Sequence, residues 1–556
     1  MVVSEHTTIH TTHEVVNQPP FLRDYNLYDS DLPLREALAR ENADWAAERV
    51  GAFGAQLGSA EFIEHGRLAN EFPPRFQTHD RFGHRIDEVE FHPAYHALMA
   101  AGKAAEVHAL PWNHPRPGAH AARAALHFML DQTEAGVCCP LTMTFACIPT
   151  LRMQPDVASE WEPRATSPEY DARNMPAPEK RGCTLGMALT EKQGGSDVRA
   201  NTTRAEPVGL AGPGAEYLLT GHKFFVSAPM SDAFLTTAHT ENGVSCFLMP
   251  RWLPDGTLNR FRIQRIKDKL GNRSNATSEM EYTEAWARMV GGEGNGIKTI
   301  VEMINHTRLD CLIGSAGLMR QALVQALHHA RHRQAFDRRL CEQPLQRNVL
   351  TDLALESEAA TALMMRLAGI YDETMHDTTR VPLRRLCTAL FKYWVCKRAP
   401  AMVYEAMECQ GGDGVMEPSP MPRLYREAVI NPIWEGSSNI MCLDVLRTML
   451  KAPEAVPMFL DELAAACGVD SRYDAHVKDL KQRLFERRSA ELRARRVVGD
   501  MALAFQAALL IRHAPDYVAD AFCTARLDGQ AGSEYGTLPQ GLEFGAIIDR
   551  ATPQVG

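Results

Sequence analysis

Hydrophobic periodicity changes twice along this chain, and that double change constrains the fold more than any other feature. From about Glu36 to Arg181 apolar residues recur at helical spacing, as in Glu36-Ala-Leu-Ala-Arg-Glu-Asn-Ala-Asp-Trp-Ala and His120-Ala-Ala-Arg-Ala-Ala-Leu-His-Phe-Met-Leu. The texture then shortens. Tyr217-Leu-Leu-Thr-Gly-His-Lys-Phe-Phe-Val, Ser245-Cys-Phe-Leu-Met and Phe261-Arg-Ile-Gln-Arg-Ile are β-prone and separated by Gly, Pro, Asn and Asp. Gly291-Gly-Glu-Gly-Asn-Gly closes that region. Helical periodicity returns from Ile297 to about Met449, with candidate helices over Thr299–Phe336, Gln346–Met375 and Leu383–Glu408. A joint, Lys451-Ala-Pro-Glu-Ala-Val-Pro, precedes a last helical part.

The chain is therefore predicted to be α+β and mainly α. An irregular N-terminal arm spans 1–35 and an N-terminal helical domain spans 36–183. A small, mainly antiparallel β-domain covers 184–290, a helical bundle 291–452, and an extra C-terminal helical domain 453–556. A length of 556 residues allows that division, since single domains run to about 100–200 residues. No run of eighteen apolar residues occurs, so no membrane span is expected. The first residues lack a basic region followed by an apolar one, so no secretory signal is expected either. Thirteen cysteines without a Cys-x-x-Cys pair suit a reducing cytoplasm, and nothing in sequence near the adjacent Cys138 and Cys139 completes a zinc site. A formal charge of −10 argues against nucleic-acid binding by bulk charge and leaves room only for a local basic patch.

Two loops carry candidate chemistry. Met187-Ala-Leu-Thr-Glu-Lys-Gln-Gly-Gly-Ser-Asp-Val198 sets a Gly pair and Ser196 just after a β-prone run. Such a loop offers backbone N–H groups and a hydroxyl to a phosphate, although a Gly-Gly-Ser turn is also an ordinary turn. The second cluster is Glu408-Cys-Gln-Gly-Gly-Asp-Gly414 followed by Arg426-Glu-Ala-Val-Ile-Asn-Pro-Ile-Trp-Glu-Gly-Ser-Ser-Asn439. Here Glu435 stands between an aromatic wall and a flexible residue, a setting that raises a carboxylate's pKa and sharpens it as a base. The alternative is a loop glutamate paired with an arginine.

Taken in order, these segments resemble the acyl-CoA dehydrogenase family. The first loop resembles that family's Thr-Glu-x-x-x-Gly-Ser-Asp signature, and Gly221-His-Lys-Phe-Phe-Val-Ser227 its Gly-x-Lys-x-Trp-Ile-Thr strand. Lys269-Leu-Gly-Asn-Arg-Ser274 is similar to its Gly-x-Arg-Ser turn. Arg333-Gln-Ala-Phe336 with Gln343 is similar to the segment that reaches a neighbouring subunit's FAD. The last cluster resembles the Gly-Gly-x-Gly and Arg-Asp…Ile-Tyr-Glu-Gly-Thr signatures. The resemblance implies FAD as cofactor, an acyl-CoA substrate, a homotetramer and Glu435 as the base that removes an α-proton. It also implies Met187, Leu189, Thr190, Phe225, Val226, Ser227 and Trp434 around the flavin, and Ser196 on the pyrophosphate. Arg333, Phe336, Gln343, Gln410, Gly411 and Gly412 would hold the nucleotide half, with Ser437 and Asn439 completing the site. Some members carry their base at the position of Thr307, which cannot serve here. Phe225 for Trp, Trp434 for Tyr, Asp337 for Gly and Val415 for an aromatic depart from the pattern and reshape the acyl site.

The N-terminal arm and the long tail exceed the usual dehydrogenase core. With Asn17-Gln-Pro, Lys267-Asp-Lys-Leu-Gly-Asn-Arg-Ser-Asn-Ala and Ile433-Trp-Glu-Gly-Ser…Leu-Arg447, the layout resembles the branch of the family tied to the bacterial adaptive response to DNA alkylation. That resemblance implies binding of double-stranded DNA through the C-terminal region and a weak isovaleryl-CoA dehydrogenase activity. The alternatives are a metabolic dehydrogenase whose tail serves assembly and a non-enzymatic protein that keeps FAD as a structural element only. Within 471–496 nine basic residues face four acidic ones, and Lys481, Arg488 and Arg495 recur every seven residues, as on one helical face. Such a face contacts phosphates or lies solvated over its neighbours. Arg447, Lys451, Arg512 and Arg526 are further DNA candidates. His328 and His332 sit one turn apart without a carboxylate on that face, and no metal is expected.

Overall fold

The computed structural model describes residues 12–486 and 489–553. The N-terminal part holds α1 (Leu32–Arg40), α2 (Ala47–Leu57) and α3 (Ala60–Glu71), then a hairpin of β1 (Arg75–His79) and β2 (Arg85–Glu90). It continues with α4 (Pro93–Ala104), α5 (Leu110–Asn113), α6 (Ala119–Thr133), α7 (Cys138–Leu151) and α8 (Pro155–Ala165). Caps set two of the starts: Asp31 accepts from Leu34 N–H, and Ser59 from Phe62 N–H. The hairpin lies within a stretch read from sequence as mostly helical. Its strands are largely exposed and polar, so they lack the alternation that marks a half-buried strand.

The β-rich part comprises β3 (Leu185–Ala188), β4 (Arg204–Pro207), β5 (Glu216–Ser227), β6 (Ala233–Thr240), β7 (Gly243–Pro250), β8 (Phe261–Ile266) and β9 (Thr277–Val290). Strands follow the order β3-β6-β4-β5-β9-β7, β8 adds to β9, and β7 pairs back onto β6, so the sheet closes on itself. Pairing is mainly antiparallel, but β3 and β4 run parallel to β6. Tyr217, Leu219, Phe247, Met280 and Ala287 fill the interior. Closure needs a tight crossing at Gly221, where a Cβ would meet Thr203 Oγ1 at 2.5 Å.

The helical bundle that follows is built on α9 (Gly296–His332), a 37-residue helix about 55 Å long. It stops at His332, four residues short of the sequence reading, because the chain turns into a tight hairpin of β10 (Gln334–Ala335) and β11 (Arg338–Arg339). Phe336 and Asp337, at its tip, both have positive φ, 53° and 62°. Around α9 pack α10 (Pro344–His376), α11 (Val381–Glu408) and α12 (Met421–Ala428), and α13 (Ser438–Lys451) packs on α11. The tail adds α14 (Ala455–Ala464), α15 (Ser471–Phe485), α16 (Ala490–His513), α17 (Asp516–Phe522) and α18 (Phe544–Ala551).

These last helices share the bundle's apolar core. Phe505 of α16 packs on Phe391 of α11 at 4.8 Å between ring centroids, and Trp394 Nε1 donates to Gln506 Oε1 at 2.9 Å. The fold is thus the predicted α+β, mainly α architecture, with further helices beyond the bundle. Among the described residues, no helix is long and apolar enough to cross a membrane.

Candidate active site

A cavity of about 1910 Å³ opens where the β-rich part, α6–α7, α9 and the segment before α13 meet. Each wall is fixed by a buried polar anchor. After β3 the chain passes through Leu189 and Thr190 to Glu191, whose carboxylate pairs with Lys223 at 2.8 Å in a fully buried contact. Burial opposes that charge, but Lys223, the Thr203 hydroxyl and the Thr202 N–H together hold the Glu191 carboxyl below its ordinary range. The Thr190 carbonyl accepts from Phe224 N–H at 2.7 Å. Gly194 closes the loop where a Cβ would strike Asn201 Oδ1 at 2.3 Å, leaving Gly195 and Ser196 facing the cavity.

Along β5, Phe225 and Ser227 line the cavity, while Val226 turns into the barrel interior, as alternation along a strand requires. Val226 therefore offers no side chain to a cavity ligand. The Ser227 hydroxyl lies 3.1 Å from Thr277 Oγ1, and Lys269 Nζ donates to the same Thr277 oxygen at 2.8 Å. Burial depresses the Lys269 ammonium to about 8. This makes a polar edge of two hydroxyls and an amine beside the apolar Met187, Leu189 and Phe225.

Glu435 lines the same cavity from the segment before α13. Its backbone sits at φ 57°, with Gly436 following at 107°. Glycine adopts a positive φ freely, but a glutamate holds one only when its surroundings fix it. They do. Arg308 Nε donates to the Glu435 carbonyl at 2.9 Å, and the same guanidinium pairs with Asp444 on α13 at 2.9 Å. Lys392 Nζ donates to the Trp434 and Gly436 carbonyls at 2.8 and 2.6 Å. Trp434 Nε1 donates to Asn431 Oδ1 at 2.9 Å. The carboxylate itself accepts from Thr307 Oγ1 at 2.7 Å. Burial raises the Glu435 carboxyl above its ordinary value, against the Thr307 hydrogen bond and the charges of Arg308 and Lys392. A carboxylate so placed accepts a proton readily from a weak carbon acid.

The structure thus gathers Met187, Leu189, Thr190, Ser196, Phe225, Ser227, Trp434, Glu435 and Ser437 around one cavity, with Arg447 and Lys451 at its rim. Asn439 stands aside, its Oδ1 accepting from Arg495 Nε of α16 at 2.9 Å. Arg333, Phe336, Gln343, Gln410, Gly411 and Gly412 line no part of the cavity. They cluster toward the far end of α9, about 39 Å from Thr307 at 1.5 Å per residue. There Arg333 donates to the Asn17 carbonyl at 2.6 Å, and Asn17 in turn brackets the Gln334 backbone, so the N-terminal segment is stitched to the hairpin. Phe336 is 93% exposed, and Gln410 Nε2 is buried without a hydrogen-bond partner.

The basic candidates divide. Arg447, Lys451, Lys481, Arg495 and Arg512 are exposed; Arg447 also pairs with Asp444. Arg526 is turned inward onto Asp352 and Glu356, so its charge is spent inside the fold. Arg488 lies outside the described residues. Lys481 stands on α15, which ends at Phe485, and Arg495 on α16, which begins after Ser489 at a positive φ of 56°, so these two do not lie on one continuous helix. His328 Nε2 meets the Pro20 carbonyl and His332 Nδ1 the His328 carbonyl, at 2.7 and 2.8 Å. Sequence reasoning gave no role to Arg308, Lys392 or Lys269. Arg308 follows Thr307 directly and was open to notice, whereas nothing local points from Lys392 to a loop 42 residues on.

Comparison with known proteins finds three family matches in chain order. Adaptive response protein AidB N-terminal domain matches residues 17–172, the acyl-CoA dehydrogenase middle domain 186–285, and the acyl-CoA dehydrogenase C-terminal domain 294–450. AidB of Escherichia coli (strain K12) is 45% identical over 523 residues, covering 94% of this chain and 95% of that protein. The crystal structure of Caenorhabditis elegans ACDH-11 in complex with C11-CoA superposes with a TM-score of 0.85 at 25% identity, covering 95% of each chain. An acyl-CoA dehydrogenase complexed with FAD from Bacillus anthracis shares the fold, with a TM-score of 0.62, 16% identity and coverage of 83% of this chain and 87% of that one.

Proposed function

The chain belongs to the acyl-CoA dehydrogenase family, and on that premise we propose that it is an FAD-dependent oxidoreductase of the AidB type that also binds double-stranded DNA. Its site would dehydrogenate a short branched acyl-CoA, such as isovaleryl-CoA, weakly. The clamp on Glu435 carries this reading: Thr307 holds its carboxylate, and Arg308 and Lys392 the backbone around it, at the wall of a large cavity. FAD, the family's cofactor, supplies a hydride acceptor when bound.

The residues present fit that group. Thr190, Ser227 and Lys269 offer a polar edge beside apolar walls, as a flavin ring requires. Gly411 and Gly412 leave an open face where a Cβ would meet nothing within 4 Å, next to the unpaired buried Gln410 Nε2. Arg333, Phe336, Gln343 and Gln410 are assigned to the nucleotide half of a flavin seated mainly in a neighbouring copy, which makes a homotetramer the working assembly. The exposure of Phe336 supports that assignment.

Glu435 would take the α-proton of the acyl thioester. Thr307 fixes the carboxylate through Oε2 and limits how far burial raises its pKa. The Glu435 backbone N–H is the candidate donor to the thioester carbonyl as negative charge develops there. Trp434, Met187 and Leu189 exclude water around the exchange. That a relative was solved with C11-CoA supports a thioester as the substrate class.

For DNA, Arg447, Lys451 and Arg495 supply positive charge at and near the cavity rim, with Lys481 and Arg512 elsewhere on the tail. No base-reading motif accompanies them, so binding would be sequence-tolerant, cytoplasmic in setting and weakened by salt. Two experiments test the reading. Gel-shift titration with random duplex DNA at two salt concentrations should give salt-sensitive binding. Anaerobic flavin reduction by a panel of acyl-CoAs should be abolished by Glu435→Gln. Reduction without DNA binding would leave a metabolic dehydrogenase with an assembly tail; undiminished reduction in the variant would remove Glu435 as the base.

A further inference from the structure

Beside the cavity, α6 and α7 bring three potential metal ligands together. Atoms of His127, Asp131 and Cys138 lie within 4.8 Å of one another, and all three residues line the cavity. Read along the sequence, Cys138 has no zinc partners near it. Folding supplies them, because His127 and Asp131 are one turn apart on α6 and the short connection returns Cys138 to the same place.

The hydrogen bonding around His127 leaves a gap that only a proton or a cation can fill. Thr142 Oγ1 donates its single proton to Asp310 Oδ2 at 2.6 Å, and Asp310 is held by Arg123 through two hydrogen bonds of 2.6 Å. The Thr142 oxygen therefore accepts from His127 Nε2–H at 3.1 Å, which assigns the ring proton to Nε2 and leaves Nδ1 as a lone pair. That lone pair faces Asp131 Oδ2 at 3.1 Å: two acceptors with no donor between them. Both side chains are deeply buried, at 2% and 5% exposure, so the unmatched pair is costly. The neighbourhood is also rich in carboxyl groups. Asp131, Glu134 and Asp310 all bear on the Cys138 sulfur, while Arg123 is already engaged by Asp310. On α9, Gly314 keeps the space, since a Cβ there would stand 3.0 Å from Asp131 Oδ1.

The geometry points to a divalent transition-metal site of the Zn²⁺ class, formed by His127 Nδ1, the Asp131 carboxylate and Cys138 Sγ, with its fourth position open to the cavity. Thiolate, imidazole and carboxylate are the donors that such an ion selects. Tetrahedral ligands at about 2.0–2.3 Å from an ion are roughly 3.3–3.5 Å apart, so the nitrogen–oxygen pair is already at bonding separation and only the Cys138 rotamer must close in. The chain from His127 Nε2 through Thr142 to Asp310 and Arg123 is the outer-shell support a ligating histidine needs. Asp310 lies three residues after Thr307 on α9, about 5 Å along the axis from the Glu435 clamp. The open position would take water or the polar end of a molecule held against Glu435.

The test uses the full-length flavin-loaded protein, treated with a chelator and then titrated with Co²⁺. The expected result is one equivalent bound per chain, with ligand-field bands to the red of the flavin and a thiolate charge-transfer band. Cys138→Ser should lose the charge-transfer band, and His127→Gln should lose stoichiometric binding. Thr142→Val should weaken affinity by about 10–100-fold. Retained flavin absorbance certifies folding in each variant. If the wild type binds no Co²⁺ or Zn²⁺, a proton fills the gap and the proposal falls. Binding that is unchanged in both ligand variants also overturns it, by placing the metal elsewhere. None of these readouts depends on whether an acyl-CoA reduces the flavin.

Discussion

The hydroxyl of Thr307 donates to the carboxylate of Glu435 at 2.7 Å across 128 positions of sequence. It is the first opposing influence on a carboxyl that burial has raised. A general base works only when deprotonated, so the rate of flavin reduction should fall as pH drops through this raised value. Thr307→Val removes the donor and leaves burial less opposed. The acid limb of the pH–rate profile should move to higher pH. A shift to lower pH, or none, would show that Thr307 does not set the base.

Lys392 bridges the carbonyls on either side of Glu435, at Trp434 and Gly436. Lys392→Met keeps the length of the side chain and deletes both donors. The rate of flavin reduction should drop by at least about tenfold while KM changes little, because the loop geometry and not the binding pocket is altered. Equal loss in kcat and gain in KM would argue against a positioning role.

Glu427 accepts from Asn272 N–H at 2.6 Å, and burial together with the charge of Glu134 pushes its carboxyl up to about 7. The folded state then holds a proton that the unfolded chain releases near pH 4.5, the ordinary value. Stability from this group is therefore fully present below that pH and is lost as pH rises to about 7, by up to ~3 kcal/mol. Glu427→Gln retains an acceptor for Asn272 and cannot ionise. Its Tm should decline less than the wild type's between pH 5 and 8, the remaining decline including that of Asp372, whose carboxyl burial also pushes up to about 7. An unaltered slope would show that Glu427 is ionised throughout.

Arg447 and Lys451 are exposed at the cavity rim, whereas Arg526 is paired inside the fold with Asp352 and Glu356. Replacing Arg447 and Lys451 together by Ala should reduce the dependence of DNA affinity on log salt by about 0.9 for each phosphate no longer neutralised. Arg526→Ala should leave that slope alone and lower stability by roughly 3–5 kcal/mol, because two buried carboxylates lose a partner. The reverse pattern, a flatter slope from Arg526→Ala, would move the DNA path.

The architecture was legible because its periodicities are strong. Helical spacing, short β-prone segments and a glycine-rich joint each leave a local mark, and α9, α10 and α11 fall within a few residues of their sequence estimates. The hairpin of β1 and β2 was not, since exposed polar strands carry no alternation. At the site, the aromatic and glycine flanks of Glu435 are visible in the sequence, but the clamp that holds it is not. Thr307 and Arg308 reach it from α9 and Lys392 from α11, and only tertiary packing brings them together. Side-chain exposure was equally hidden. Arg512 and Arg526 look alike as isolated basic residues on the tail, yet one is exposed and the other neutralises carboxylates of α10. The fourteen residues between Lys481 and Arg495 look like one helical face in sequence, yet the two stand on separate helices, α15 and α16.

Thr307 and Arg333 stand at two places on one rigid rod, and no bending of α9 could bring them to the same small molecule. If each end grips a different portion of one chromophore, the two grips belong to different copies of the chain. Yellow colour would then be a collective property, tied to association by mass action. Progressive dilution should release the pigment in step with dissociation of the copies, although each separated chain would keep its own half of every grip intact.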